Sequence, residues 1–281
     1  VTKSPTILSY CFIFLLFVAC QQQKTEQVQQ TDNTPQTVPQ SSGIIRIGSI
    51  SKVVKDEVSD FQPLADYLAQ HLTDHDIGHG KVVVKQSLSE MAEAISKGEI
   101  DLYVDSPLPI LLLNKRTGIK PLLRRWKKGR ESYHTVFFVH KDSPIQTLQD
   151  LKGHLVAFDD PYSTTGYLLP KATMIQAGLT LQNFKSFENK PPPDTVGYLF
   201  SNDDENTLFW VFKKRVEAGV IDDDNFNKLG RSQLSSFRII HRTIDIPRHV
   251  VAHHKDLNPH LITPMAHLQT SICYYLWLKP I

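Results

Sequence analysis

Cysteine, unbalanced charge and long apolar runs are all scarce in this chain, and each scarcity narrows what it can be. Of its three cysteines, Cys11 and Cys20 fall in an apolar N-terminal stretch and Cys273 lies far away, so neither a disulfide framework nor a clustered metal site is encoded. Lys and Arg number 31 against 29 Asp and Glu, a formal net charge of +2, which implies no strongly basic face for nucleic acid. Twelve histidines invite a metal reading, but no HExxH motif occurs, and a site would have to be assembled from separated segments. The apolar-dominated run from Ile7 to Val18 is too short to span a bilayer comfortably. What is present is 281 residues, 41% hydrophobic and 21% charged, enough for two lobes with cores of their own.

Residues 1–20 read as a secretory leader, with Lys3 as a short positive region, Ile7 to Val18 as the apolar region, and Ala19 as the small residue before Cys20. The ending Val18-Ala19-Cys20 resembles a bacterial lipobox, with Phe17 where Leu is usual, and Cys20 is expected to carry the lipid. Residues 21–43 are crowded with Gln, Thr and Ser and hold few large apolar side chains. Such a segment cannot bury enough surface to fold, and reads as a tether.

The body alternates strand and helix patterns. Ile44 to Ile50 is a β-branched run closed by small residues, and Phe61, Leu64, Ala65 and Leu68 recur at helical spacing. Lys81 to Lys85, Ser89 to Ser96 and Ile100 to Val104 continue as strand, helix and strand. This order predicts mostly parallel sheets covered on both faces. Val136 to Val139 and Arg238 to Ile240 are expected to carry the chain between lobes, which assigns 44–135 and 241–281 to lobe one and 136–240 to lobe two. Lobe two then holds strands at Leu155 to Phe158, Val196 to Leu199 and Val220-Ile221, with helices after Thr165 and from about Glu205 to Glu217.

The most informative stretch is Asp160-Pro161-Tyr162-Ser163-Thr164-Thr165-Gly166-Tyr167, between a buried-looking strand and an amphipathic helix. Three hydroxyl residues at such a turn can cap the helix, and the first N–H groups of the helix lack intrahelical partners. An oxyanion fits there. In open α/β sheets ligands bind beyond the carboxyl ends of strands, which adds Tyr103, Asp105, Ser106, Tyr133, His134, Asn206 and Asp222 as candidates. A bare carboxylate beside a dianion is repelled, so Asp222 is expected to accept a proton carried by the ligand or to sit in a solvated acidic turn, Asp222-Asp223-Asp224. The basic run Arg124-Arg125-Trp126-Lys127-Lys128 is expected to steer anions from the surface.

The order of several blocks carries a family resemblance: Phe61-Gln62-Pro63-Leu64-Ala65-Asp66-Tyr67-Leu68, Asp101 to Pro107, Arg125 to Gly129, Tyr133 to Ser143, Leu148 to Gly153, and Ser163 to Pro170. From about Ile45 to Leu257 the chain resembles the phosphate/phosphite/phosphonate-binding proteins of ABC importers. That resemblance implies an α/β, two-lobed type II periplasmic-binding-protein fold with a double crossover. It implies a lipid-anchored, monomeric, extracytoplasmic binder of a phosphorus oxyanion that serves an ABC permease and ATPase, with no cofactor and no catalysis. It also implies that Ser163, Thr164 and Thr165 donate to the anion, with Tyr133 as a ligand-contact tyrosine and Tyr167 inside the same block. A sensory lipoprotein addressing a membrane kinase, or an enzyme on the same fold, would use the same architecture. After Asn258-Pro259 the family normally continues with further helices, so an altered or truncated end that leaves lobe one partly uncovered is expected.

Overall fold

The computed structural model of the protein describes residues 42–127, 129–267 and 278–280. The expected leader, Cys20 and nearly all of the expected tether lie outside them. The chain begins with β1 (Gly43–Ile50), α1 (Val54–His71), β2 (Ile77–Lys85), α2 (Leu88–Ser96), β3 (Leu102–Asp105), α3 (Pro107–Thr117) and β4 (Lys120–Arg125). After the short β5 (Ser132–Tyr133) come β6 (Thr135–His140), β7 (Leu155–Phe158), α4 (Leu169–Gln176), β8 (Thr180–Asn183), β9 (Thr195–Phe200), α5 (Asp204–Phe212) and β10 (Ala218–Asp222). It closes with α6 (Asp223–Asn227), α7 (Arg231–Leu234), β11 (Phe237–Arg242), β12 (Ile246–Pro247), β13 (His249–His253), α8 (Pro259–His267) and β14 (Leu278–Pro280).

Two six-stranded sheets result, ordered β14-β4-β13-β3-β1-β2 and β11-β6-β10-β7-β9-β8. In the first, β1 is parallel to β2 and β3, while β13 returns antiparallel between β3 and β4. In the second, β8, β9, β7 and β10 are parallel, and β6 and β11 run antiparallel at one edge. This is the two-lobed α/β type II periplasmic-binding-protein fold.

Apolar side chains face both sides of each sheet, as buried parallel strands require. In β6 and β7, Phe137, Val139, Val156 and Phe158 fill one cluster, and Val136, Phe138, Leu155 and Ala157 fill the other. Each large side chain so buried contributes roughly 1.5–3 kcal/mol. In lobe one, Ile45 and Ile47 pack beneath Phe61, Leu64 and Leu68 of α1, while Tyr103 points to the opposite face with Met91 and Ile95.

The strands expected to mark the crossings, β6 and β11, are the first and last of the second sheet in chain order and lie side by side in it. Arg238 of β11 pairs with Val139 of β6 inside the second sheet. Between the sheets runs a separate antiparallel ribbon, in which Tyr133 faces Ile246 and Ser132 faces Pro247. The helix expected over 205–217 ends at Phe212, and Lys214 takes a left-handed φ of 53° before β10 begins. Near the C-terminus, Leu261 and Met265 of α8 are buried in the first lobe-one cluster and β14 extends the sheet beside β4, so lobe one is covered at those positions. Among the described residues no helix is long and apolar enough to cross a membrane.

Candidate functional site

The carboxyl ends of β7, β9 and β10 point toward the seam with lobe one. After β7 the chain turns through Asp159-Asp160-Pro161 into one turn of π-helix, Thr164–Leu168, which leads into α4. Ser163 caps it, its Oγ accepting the Gly166 N–H at 3.0 Å. Thr164, only 3% exposed, reaches across the seam. Its hydroxyl accepts the N–H of Leu108 at 2.9 Å and donates to Ser106 Oγ at 3.0 Å, so it caps α3 in the other lobe. Thr165 is held from below, its carbonyl accepting the Thr135 hydroxyl at 2.7 Å.

Beneath this turn lies Asp159. A Cβ on Gly166 would stand 2.4 Å from the Asp159 Cβ and 2.9 Å from its Oδ2, so only glycine lets the carboxyl reach the helix N-terminus. Burial and the nearby charge of Asp204 push the Asp159 pKa up to about 7, against the hydrogen bond with Ser163. Asp204 itself rises to about 6, chiefly through burial. Asp159 borders a cleft of about 740 Å³, lined by Asp105, Ser106, Ser87 and Lys52 from lobe one and by Asp159, Asp160, Tyr162 and Ser163 from lobe two.

On the lobe-one wall, Asp105 accepts the Tyr103 hydroxyl at 2.5 Å and the Ser106 N–H at 2.6 Å. Burial holds Asp105 above the ordinary carboxyl range and drives Tyr103 well above the phenol range. Tyr133 is buried, and its phenol faces the Thr165 and Thr164 side chains; burial, only partly opposed by Arg248 and those hydroxyls, raises it to about 12. It remains a neutral hydrogen-bonding group at physiological pH.

The fold thus brings Tyr103, Asp105, Ser106, Tyr133, Ser163, Thr164 and Thr165 to one seam. The other candidates make local contacts, although Asp222 also acts on the Tyr133 phenol and His134 Nε2 is buried without a hydrogen-bond partner. Asn206 is exposed and gives its N–H to Asp203 Oδ1 at 2.6 Å at the start of α5. The Tyr167 ring packs among Phe158, Tyr198 and Phe200, with its hydroxyl 2.7 Å from Lys171 Nζ. The His134 Nδ1 lies 2.9 Å from Asp245 Oδ1. Asp222, 9% exposed, caps α6 by accepting the N–H of Asn225 at 2.9 Å and its Nδ2 at 3.0 Å. Asp223 and Asp224 bind the Arg130 guanidinium at 2.7 and 2.6 Å, so this run is not a solvated acidic turn.

Two residues at the seam escape a motif-based reading. Asp159 looks like a turn residue, and Arg125 looks like part of a surface basic run although it is 8% exposed. Strand alternation carries the missing signal: Leu123 and Arg125 share the buried face of β4 while Arg124 between them is exposed. His71, His75 and His79 recur every four residues, but they fall on α1, a 3₁₀ turn and β2 and share no helical face. Among the described residues no three His, Cys, Asp or Glu side chains gather where they could hold a metal ion.

A family model described as "ABC transporter, phosphonate, periplasmic substrate-binding protein" matches residues 47–271. A Xanthomonas citri protein solved bound to ATP is 25% identical, with a TM-score of 0.75 over 85% of this chain and 92% of that one. PhnD1 from Prochlorococcus marinus, in complex with methylphosphonate, is 16% identical, with a TM-score of 0.57 over 81% of this chain and 85% of that one, and shares the fold. The tetrathionate sensor histidine kinase TtrS of Salmonella typhimurium is 30% identical over 126 residues, which cover 43% of this chain and 21% of the kinase. The match therefore spans about a fifth of that curated relative.

Proposed function

The chain belongs to the phosphonate family of periplasmic ABC-transporter substrate-binding proteins, and from that premise we propose that it captures a phosphorus oxyanion at the Ser163–Thr165 turn and delivers it to an ABC permease and ATPase. The single observation that carries this reading is the turn itself, because it sets hydroxyls and first-turn amides at the seam where Thr164 meets Ser106 and Leu108. Lobe closure then surrounds the anion with Ser106, Tyr133 and the turn. A neutral hydrogen bond nets about 0.5–1.5 kcal/mol, and micromolar affinity needs about 8 kcal/mol, so several of these groups must act together. The Xanthomonas citri relative was solved with ATP, a ligand that also presents phosphoryl oxygens. A lipid on Cys20 would hold the protein at the extracytoplasmic membrane face, and no bond is made or broken.

The partial match to a sensor kinase supports a second reading, in which the same closure addresses a membrane kinase. A permease and ATPase encoded beside this chain would favour import, and a kinase gene there would favour sensing. The binding step is tested by thermal unfolding of the purified chain with phosphate, phosphite, methylphosphonate, aminoethylphosphonate and sulfate. A ligand at a hundred times its Kd adds about 2.7 kcal/mol, and absence of any shift with all four phosphorus compounds would overturn the reading.

A further inference from the structure

Three cations gather on the lobe-one side of the seam. Arg125, at the end of β4, is 8% exposed, its guanidinium 4.7 Å over the Phe61 ring. Its Nη1 lies 3.4 Å from His249 Nδ1, and its Nε has no hydrogen-bond partner. Because a guanidinium can only donate, His249 Nδ1 must accept. Burial, with Lys127, Arg125 and Arg248 nearby, keeps His249 neutral by holding its pKa well below the usual range. Arg248, also 8% exposed, covers the Tyr133 ring at 4.3 Å. Its Nε stands 3.3 Å from Asp224 Oδ2 but out of line for a hydrogen bond. Lys127 is fixed by a turn in which it and Arg130 exchange backbone hydrogen bonds at 3.0 and 3.1 Å. Burial, Arg248 and Arg125 all lower its pKa.

The carboxylates around this cluster already have partners. Asp224 takes Arg130 at 2.6 Å, Glu57 takes the Ser49 hydroxyl, and Asp105 takes Tyr103 and Ser106. Asp60 is exposed and acts on Arg125 without an ion-pair contact. Neither Arg125 nor Lys127 has a carboxylate in ion-pair contact among the described residues. Arg248 and Arg125 disfavour the charge on Lys127 more than Asp105 and Glu57 offset, and Arg125 keeps a buried Nε with no hydrogen-bond partner and no carboxylate in contact, so an anion arriving among them relieves that cost. The cluster is continuous with the hydroxyl turn through Tyr133, whose ring lies under Arg248 and whose phenol faces Thr164 and Thr165.

We propose that Arg125, Lys127 and Arg248 form an anion subsite that selects doubly ionised oxyanions over singly charged ones of the same shape. The proposal rests on the oxyanion reading given above and adds the ligand's charge state to it. Phosphorus and sulfur dianions share the chemistry that such a cluster recognises.

Calorimetry at pH 8.5 with methylphosphonate and sulfate as dianions, and perchlorate as a tetrahedral monoanion, tests it on the wild type, Lys127→Gln and Arg248→Gln. At least one dianion should bind the wild type about tenfold or more tighter than perchlorate does. Each substitution should weaken that dianion by about tenfold or more, the scale of a charge-assisted contact, and shift perchlorate by less than about threefold. Lys127 is partly buried and is repelled by Arg248 and Arg125, so the melting temperature of unliganded Lys127→Gln should hold or rise, which separates lost binding from lost fold. Binding of methylphosphonate alone identifies a phosphorus ligand, binding of sulfate alone identifies a sulfur ligand, and either supports the subsite. Dianion affinity unchanged in both variants overturns the subsite while leaving the oxyanion reading intact. No anion bound by the wild type overturns both.

Discussion

The Thr164 hydroxyl accepts the backbone N–H of Leu108 at 2.9 Å, so a residue of one lobe caps a helix of the other from 56 positions away. Ser106, the residue at the N-cap position of α3, makes no side-chain cap of its own and takes the Thr164 proton instead. Thr164→Val keeps the side-chain shape and removes both contacts. We expect it to cost about 1 kcal/mol of stability and, because the Thr164 proton must leave Ser106 for the anion on binding, to weaken oxyanion binding at least about tenfold, since a hydrogen bond to a charged group is worth roughly 1.5–3 kcal/mol. Calorimetry and thermal unfolding measure the two effects separately, and unchanged affinity would reduce Thr164 to a latch between the lobes.

Gly166 carries the tightest constraint at the turn. Its missing Cβ would stand 2.4 Å from Asp159 and 2.8 Å from the Ser163 Oγ that caps the same turn. Gly166→Ala must therefore displace the carboxyl or the cap, at an expected cost of about 1–3 kcal/mol, the usual range for overpacking. Denaturant unfolding checks it, and a midpoint equal to that of the wild type would show that the turn has slack.

Much of this fold is legible in sequence because buried parallel strands leave continuous apolar runs, as in Leu155 to Phe158 and Val220-Ile221. The ribbon between the sheets is not legible, because a pair such as Ser132-Tyr133 is too short to show any period. Within the site, the hydroxyl turn and Ser106 announce themselves by residue type and place, whereas the contacts of Thr164 with Ser106 and Leu108 come from folding. Arg125 was readable only through the parity it shares with Leu123, and a neighbouring basic run obscures that parity.

Asp159 should make stability depend on pH in a defined direction. Its folded value of about 7 lies above the ordinary 3.8, so between those limits the native state holds a proton that the unfolded chain releases. Its contribution is therefore fully present below about pH 4 and is lost as pH rises through about 7. Asp204, raised to about 6, acts in the same direction. Even a third of the Asp159 shift corresponds to about 1.4 kcal/mol, or roughly 3–5 °C for a protein of this size. Asp159→Asn should melt higher than the wild type at pH 8 and no higher at pH 4; a constant difference across that range would mean that the carboxyl is ionised throughout.

Cys20 lies outside the described residues, and its expected lipid is open to a direct test. Diacylation gives stable membrane anchoring where a single chain is marginal. In detergent phase partitioning the wild type should enter the detergent phase, and Cys20→Ser should either stay aqueous or be retained only with its leader uncleaved. A wild type that partitions into water with an unmodified Cys20 by mass spectrometry would exclude the anchor.

Two roles for Asp222 make opposite predictions. As an acceptor for a proton on the ligand, it would make affinity fall as rising pH strips that proton, and Asp222→Asn would flatten the dependence. Both of its oxygens, however, already accept from Asn225, at 2.9 Å from the backbone and 3.0 Å from the side chain. Asn is as good an N-cap as Asp, whereas Ala loses about 1 kcal/mol. We therefore expect Asp222→Asn, which keeps the cap but turns the acceptor of the Asn225 Nδ2 into a donor, to lose at most about 1 kcal/mol of stability and to leave the pH profile of methylphosphonate affinity from pH 6 to 9 parallel to that of the wild type. Asp222→Ala, which loses the cap, should lose about 1 kcal/mol or more. Across that range conversion of the ligand to a dianion favours binding at Arg125, Lys127 and Arg248, while ionisation of Asp159 near 7 and of Asp204 near 6 opposes it, so the test is the difference between the two proteins and not the slope of either. A profile that falls with pH in the wild type and flattens in Asp222→Asn would return Asp222 to the ligand shell.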